Sequence, residues 1–183
     1  MKQMTKPAQI VILNGATRSG KSSIVEVIQE TFEGAWMNLG VDVFARGVTP
    51  KRYQPGIGLR PGPGPGFGGG HHGAIHPEIL PNCARQLAGL PVLFVGVRCP
   101  IEEIMKRRNQ AGREGGYVVG TDDEPVPPPV VLWQREVHIP GIYDLEVDTS
   151  LLSPEECAEV IRRRLEDGPS PSAFQQLAKR AAS

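Results

Sequence analysis

The run GATRSGKS at 15–22 constrains this chain more than any other feature. It fits G-x-x-x-x-G-K-[ST], a glycine-rich turn whose backbone N–H groups can curl around phosphate oxygens. The residues before it, QIVILN at 9–14, read as a buried parallel strand. Residues 22–32 read as a helix with Ile24, Val25 and Ile28 on one face. That order puts the positive end of the helix at the turn, where an anion is stabilised. Gly15, Ala16, Thr17, Arg18, Ser19, Gly20, Lys21, Ser22 and Ser23 then form a candidate phosphate site. Lys21 can neutralise the β and γ phosphates of a nucleoside triphosphate, and the Ser22 hydroxyl can hold Mg²⁺, so a nucleoside triphosphate with Mg²⁺ is the expected ligand. The plainer reading of such a turn is a tight connection. Gly, Lys and Ser standing in register together favour the nucleotide site.

Composition narrows the class. A chain of 183 residues suits one domain, and 39% hydrophobic residues can supply a core. Lys+Arg 20 against Asp+Glu 20 leaves a formal net charge of +0, so no global positive field draws nucleic acid or an anionic membrane. Cys83, Cys99 and Cys157 are an odd set without metal-ligand spacing, which reads as buried, reduced thiols in a cytoplasmic setting. Residues 1–8 are polar and carry no signal-peptide core, and no apolar run is long enough to span a bilayer. Glycine and proline concentrate at 53–70, which contains RPGPGPGFGGG, and at 124–129, EPVPPP. Neither stretch suits regular helix or a central strand.

Strand and helix patterns alternate elsewhere. Residues 35–41 (AWMNLGV) are a second strand candidate ending at Asp42, 78–88 a helix closed by Gly89, and 91–98 (PVLFVGVR) the clearest buried strand. Pro100 opens the next helix, with Glu102 and Glu103 in its first turn and Lys106, Arg107 and Arg108 in its last, as the helix dipole favours. Residues 130–138 suit a short helix and 142–147 a last strand. Ser153-Pro154-Glu155-Glu156 is a capping box opening a helix to about Leu165, with Cys157, Val160 and Ile161 inward. Such alternation predicts an α/β fold with a parallel sheet between helical layers, binding ligands at the carboxyl ends of its strands. Residues 1–167 are expected to form one domain of this kind, irregular at 53–70, and 168–183 a polar tail with a helical turn near Phe174.

Several side chains are candidates for chemistry. Asp42 ends a strand candidate beside the phosphate loop, where a carboxylate can take a proton from an attacking hydroxyl; the bland alternative is a turn or capping aspartate. Arg107, Arg108 and Arg113 lie in KRRNQAGREGG. Guanidinium groups there can stabilise charge on a transferring phosphoryl group, and a glycine-rich stretch suits a lid; the alternative is a solvated helix end. His71, His72 and His76 lack ligand spacing, so zinc is not expected. His138, near Trp133 and Tyr143, reads first as a packed or surface histidine and second as part of a substrate pocket.

ILNGATRSGKSS, WMNLGVD, PVLFVGVRCP and HIPGIYDLEVDTS together resemble the chloramphenicol phosphotransferase-like proteins, from Ile10 to about Leu165 apart from the middle. The GVD and YDLEVDT segments narrow the likeness beyond the generic phosphate loop. The resemblance implies a three-layer α/β/α P-loop fold and an ATP- and Mg²⁺-dependent kinase acting on a hydroxyl of a small molecule, chloramphenicol or a related antibiotic. It implies Asp42 as base, Lys21 and Ser22 on the phosphates and metal, and Arg107 and Arg113 near the phosphates, with Asp42, Lys21 and Arg113 as the catalytic set. It also implies a further strand, bearing an acidic residue, where this chain reads RPGPGPGFGGGHHGAIH. That run has neither an aspartate nor a β-branched stretch, so 54–70 is expected to be irregular and the sheet to lack one central strand. Two alternatives follow: a nucleotide-binding protein without competent catalysis, and a kinase with a nucleoside or sugar acceptor. Oligomeric state is left open.

Overall fold

The structure is a computed structural model that describes residues 9–40, 43, 79–111 and 119–181. The described residues form a three-stranded parallel sheet and six helices, in the order β1 (Ile10–Asn14), α1 (Lys21–Thr31), α2 (Ile79–Leu87), β2 (Val92–Arg98), α3 (Ile101–Ala111), α4 (Pro128–Glu136), β3 (Leu145–Asp148), α5 (Pro154–Glu166) and α6 (Ala173–Arg180). The spatial strand order is β1-β2-β3. Ile10 pairs with Val92 through to Asn14 with Gly96, and Val95 pairs with Leu145 through to Arg98 with Asp148. β2 therefore lies in the middle, and its first six residues are buried. A strand covered on both faces must be apolar throughout, which is why PVLFVGVR stood out without an alternating pattern.

Side-chain alternation along the strands divides the core in two. On one face Leu93, Val95, Val97 and Val147 pack with Ile24 and Ile28 of α1 and with Cys157, Ala158 and Ile161 of α5. On the other, Val92 and Phe94 pack with Ala84 of α2 and with Ala173, Phe174 and Leu177 of α6. A smaller cluster of Ala16, Cys99, Ile104, Met105 and Val130 joins α3 and α4 to the carboxyl edge of the sheet. Helices on both faces of a parallel sheet agree with the α/β reading. The capping box forms as expected: Ser153 Oγ accepts from the Glu156 N–H at 3.2 Å, and the Ser153 N–H donates to Glu156 Oε2 at 2.7 Å.

Two expectations need correction. Residues 35–40 form no strand. The Trp36 ring meets Phe32 edge-on at 5.6 Å, and the Trp36 carbonyl accepts from Gln29 Nε2 at 3.0 Å, so the chain is held against the end of α1. Met37 and Leu39 are exposed, at 78% and 65%, and have no sheet edge to bury them. The second correction concerns 168–183, read as a polar tail. It carries α6, an eight-residue helix whose Ala173, Phe174 and Leu177 are buried. Asp144, from the start of β3, supplies the cap that the local sequence lacks. Its Oδ1 accepts from the N–H groups of Ser172 and Ala173 at 2.7 and 3.0 Å, and its Oδ2 from the Phe94 N–H at 3.0 Å.

Smaller differences are shifts of boundary. α4 begins at Pro128 and not at 130, with proline in its first turn. β3 begins at Leu145, because Ile142 and Tyr143 lie beyond the paired register. Among the described residues β1 is paired on one side only. The 54–70 segment, whose irregularity was expected, lies outside the described residues, as do Asp42, Arg113 and the histidines at 71, 72 and 76.

Candidate active site

β1 ends at Asn14 and the chain turns at once through 15–20 into α1. Gly15 sits where only hydrogen fits: a Cβ there would stand 2.4 Å from the Val97 carbonyl oxygen and 2.7 Å from Ser19 Oγ. Arg18 and Gly20 both take left-handed backbone, with φ 72° and 93°. That conformation is natural for glycine and strained for arginine. The two left-handed residues bracket Ser19, which is buried and whose Oγ has no hydrogen-bond partner among the described residues. Gly20 caps α1 with no side-chain hydrogen bond, and the first turn of the helix carries no acidic residue. The N–H groups at that end therefore lack a side-chain acceptor. Lys21 Nζ folds back over the turn and donates to the carbonyls of Gly15 and Ala16, both at 2.8 Å. Ser22 and Ser23 are exposed on the first turn of the helix.

Such an arrangement can take an anion: a turn with two left-handed residues, a helix start with no side-chain cap, a buried hydroxyl without a partner among the described residues and a primary ammonium in reach. All nine residues expected to bind phosphate, Gly15 through Ser23, are brought together in it. The exposed Ser22 hydroxyl, on the first turn of α1, is the group that would hold a divalent cation brought in with a nucleotide. No group of three or more His, Cys, Asp or Glu residues among those described is arranged to hold a metal by itself.

The wall beside the cradle comes from the far end of the chain. Arg107 lies against the loop, but its guanidinium is engaged with protein. Nε donates to Glu103 at 3.0 Å, one terminal nitrogen donates to the Arg18 carbonyl at 3.4 Å and to Thr149 Oγ1 at 3.1 Å, and the other donates to the Thr149 carbonyl at 2.7 Å. The Arg107 guanidinium holds the Glu103 carboxyl below the usual carboxylate range. Arg108, also weighed as a phosphate ligand, is buried, and its guanidinium lies 5.7 Å from the centre of the Trp133 ring. Arg98 pairs with Glu146 across β2 and β3, with its Nε 2.6 Å from Glu146 Oε1.

A second polar group lines the same edge on the α2/α6 face. Asn14 Nδ2 donates to the Val137 carbonyl and to Tyr143 Oη, each at 2.7 Å. Tyr143 Oη lies 2.8 Å from His138 Nδ1. The amide uses both hydrogens on these acceptors, and the Tyr143 hydroxyl links it to the imidazole. The Tyr143 ring lies flat on Gly96, where a Cβ would come within 2.9 Å of it. Burial lowers the His138 pKa to about 4, helped by the charges of Arg98 and Lys21 and opposed by Glu146. Burial likewise pushes Tyr143 up. His138 is thus a neutral, anchored imidazole, close to the packed histidine favoured from the sequence yet within electrostatic reach of Lys21.

The three cysteines are free, with Cys99 and Cys157 buried and Cys83 half-buried. Burial pushes all three thiols up, Cys157 to about 11, so they are inert as nucleophiles near neutral pH. Sequence reasoning missed Thr149, Asn14 and Tyr143 as individual contributors. Only the YDLEVDT segment signalled two of them, and it did so as a pattern without assigning roles.

The fold and this edge define a phosphate-loop protein of the α/β type. The chain belongs to the chloramphenicol phosphotransferase-like protein family, which matches residues 8–76 and 70–166. It is also similar to two proteins of Mycobacterium tuberculosis, "Putative O-phosphotransferase MT2714" of strain CDC 1551 / Oshkosh and "Putative O-phosphotransferase Rv2636" of strain ATCC 25618 / H37Rv. Each is 24% identical over 215 aligned residues, covering 96% of this chain and 90% of the relative. Among the described residues no helix is long and apolar enough to cross a membrane.

Proposed function

We propose that this protein is an ATP-dependent O-phosphotransferase acting on a hydroxyl of a small molecule, with chloramphenicol or a related antibiotic as the first acceptor to test. The observation that carries the reading is the cradle at 15–22, above all Lys21 folded onto its own loop carbonyls at 2.8 Å. An ammonium in that position can transfer to phosphate oxygens without rearranging the backbone. Family membership and the names of the two relatives support the same class of reaction.

In this reading the backbone N–H groups at the start of α1 and Lys21 bind the β and γ phosphates, and Ser22 contributes its hydroxyl to Mg²⁺. When bound, the metal ion supplies charge neutralisation on the phosphates. Asp42 is the proposed base: it accepts the acceptor's hydroxyl proton as that hydroxyl oxygen bonds to the γ phosphorus, while the bond from the γ phosphorus to the β–γ bridging oxygen breaks and ADP leaves with that electron pair. Arg113 is proposed to face the transferring group, and Arg107 to place positive charge behind the loop. Because the run at 60–76 has neither the acidic residue nor the β-branched stretch that the resemblance implies, a nucleotide-binding protein with little turnover is the second reading. A nucleoside or sugar acceptor is the alternative within the kinase class.

The experiment is phosphate transfer from MgATP to chloramphenicol by the purified protein and by Asp42→Asn. Transfer by the parent, lowered about a hundredfold or more in the variant while MgATP still binds, supports the reading. An unchanged rate in Asp42→Asn removes Asp42 as the base. MgATP binding without transfer to chloramphenicol, a nucleoside or a sugar favours the second reading.

A further inference from the structure

We infer that Thr149 is a positioning residue: its hydroxyl, clasped by Arg107, holds the phosphate loop in its binding shape before any nucleotide arrives. The inference rests on the nucleotide reading above and adds a residue that no phosphate-loop pattern contains.

Thr149 is the first residue after β3. Its N–H donates to the Arg98 carbonyl at 3.0 Å, which continues the ladder between β2 and β3 by one step and fixes the backbone. Its hydroxyl has two carbonyl acceptors in reach, Ser19 at 2.8 Å, 130 residues away in sequence, and Arg98 at 3.4 Å, and its one proton goes to the nearer. The hydroxyl oxygen accepts from Arg107 at 3.1 Å, and the Thr149 carbonyl accepts from Arg107 at 2.7 Å. Thr149 Cγ2 also limits the room at Gly20, since a Cβ there would stand 3.2 Å from it. The Arg107 side chain reaches back to the Arg18 carbonyl and is itself held by Glu103.

The target of this clasp is the part of the loop that most needs holding. Ser19 lies between left-handed Arg18 and left-handed Gly20, and the arginine does not adopt that conformation by preference. A peptide flanked in this way has other orientations open to it, and rotation would carry the N–H groups away from a bound phosphate. Pinning the Ser19 carbonyl from β3 removes that freedom ahead of binding, so less ordering is required when the anion arrives. A hydroxyl is needed for this, because it must accept from Arg107 and donate to Ser19 at once; valine has the same shape and can do neither.

The test uses Thr149→Val, with Thr149→Ala as a second loss variant if valine does not fold, and Thr149→Ser as the conservative control. Two quantities are read: amide hydrogen exchange at Ser19, Gly20 and Lys21 in the nucleotide-free protein, and MgATP affinity by calorimetry, each with the melting temperature alongside. The expected result is exchange about tenfold faster and MgATP affinity about tenfold lower in the loss variant, the scale of one hydrogen bond, with the serine variant within about twofold of the parent. Exchange and affinity equal to the parent's in a folded loss variant overturn the inference. Faster exchange in the loss variant of a parent that binds no MgATP upholds the clasp and overturns the nucleotide reading, so the two failures are distinct.

Discussion

The two faces of the sheet are built alike at one end and differently at the other. On the α1/α5 face the core runs in branched aliphatic residues, from Leu93 and Val95 to Val97 and Val147, up to the carboxyl edge where α1 begins. On the α2/α6 face aromatic rings join Val92 and Leu177, with Phe94 against Phe174 at 5.0 Å and against Tyr143 at 4.8 Å. It turns polar at the same edge, at Asn14, Tyr143 and His138. One face sets the helix that carries the phosphate loop. The other ends in a hydrogen-bonded wall beside that loop. The two faces therefore meet the carboxyl edge with different chemistry, a glycine turn and helix start on one and a hydrogen-bonded polar cluster on the other.

The largest expected effect that separates the faces is on stability. Phe174→Ala removes the main aromatic contact from α6 and should cost about 3–5 kcal/mol in urea unfolding, because the ring is buried between α6 and β2. MgATP affinity of the folded protein should stay as in the parent. If it falls with stability, the two faces are not independent and the division drawn here fails.

A smaller effect sharpens the polar end. Tyr143→Phe removes the hydroxyl shared by Asn14 and His138 and should cost about 1–2 kcal/mol, the scale of a half-buried hydrogen-bonding group. In the parent, His138 titrates at about 4 when folded, against an ordinary value of 6.5. The folded state then binds fewer protons than the unfolded chain between those values, so this residue's contribution to stability is full above about 6.5 and is lost as pH falls towards about 4. Tyr143→Phe leaves the burial and the charges of Arg98 and Lys21 in place, so the folded pKa of His138 should stay well below 6.5 in the variant. Imidazole NMR titration of parent and variant measures both values; a parent His138 titrating near 6.5 would remove the anchored, neutral imidazole from the account.

The sequence made the phosphate loop legible because its chemistry is local. Glycines, lysine and serine must stand at fixed spacing, and the flanking strand and helix announce themselves by their own periodicities. The β2 strand and the capping box at Ser153 were legible for the same reason. The α6 helix was legible only as a helical turn near Phe174, because its cap is Asp144, 28 residues earlier, and no window around Phe174 contains it. Residues 35–40 misled because an apolar stretch shows only that side chains want burial; here Trp36 found Phe32 and the end of α1 in place of a sheet edge. Thr149 was invisible as a contributor because its partners lie 42 and 130 residues away. Asp42 and Arg113 remain sequence-derived candidates whose roles are proposals.

The central claim is that the loop at 15–22 is a nucleotide cradle with Lys21 at its centre. Isothermal titration of MgATP into the parent and into Lys21→Ala tests it most directly. The account predicts saturable, one-to-one binding by the parent, weakened about ten- to hundredfold in the variant, the scale of lost charge-assisted hydrogen bonds. Equal affinity in both proteins, or no binding by the parent, would contradict it.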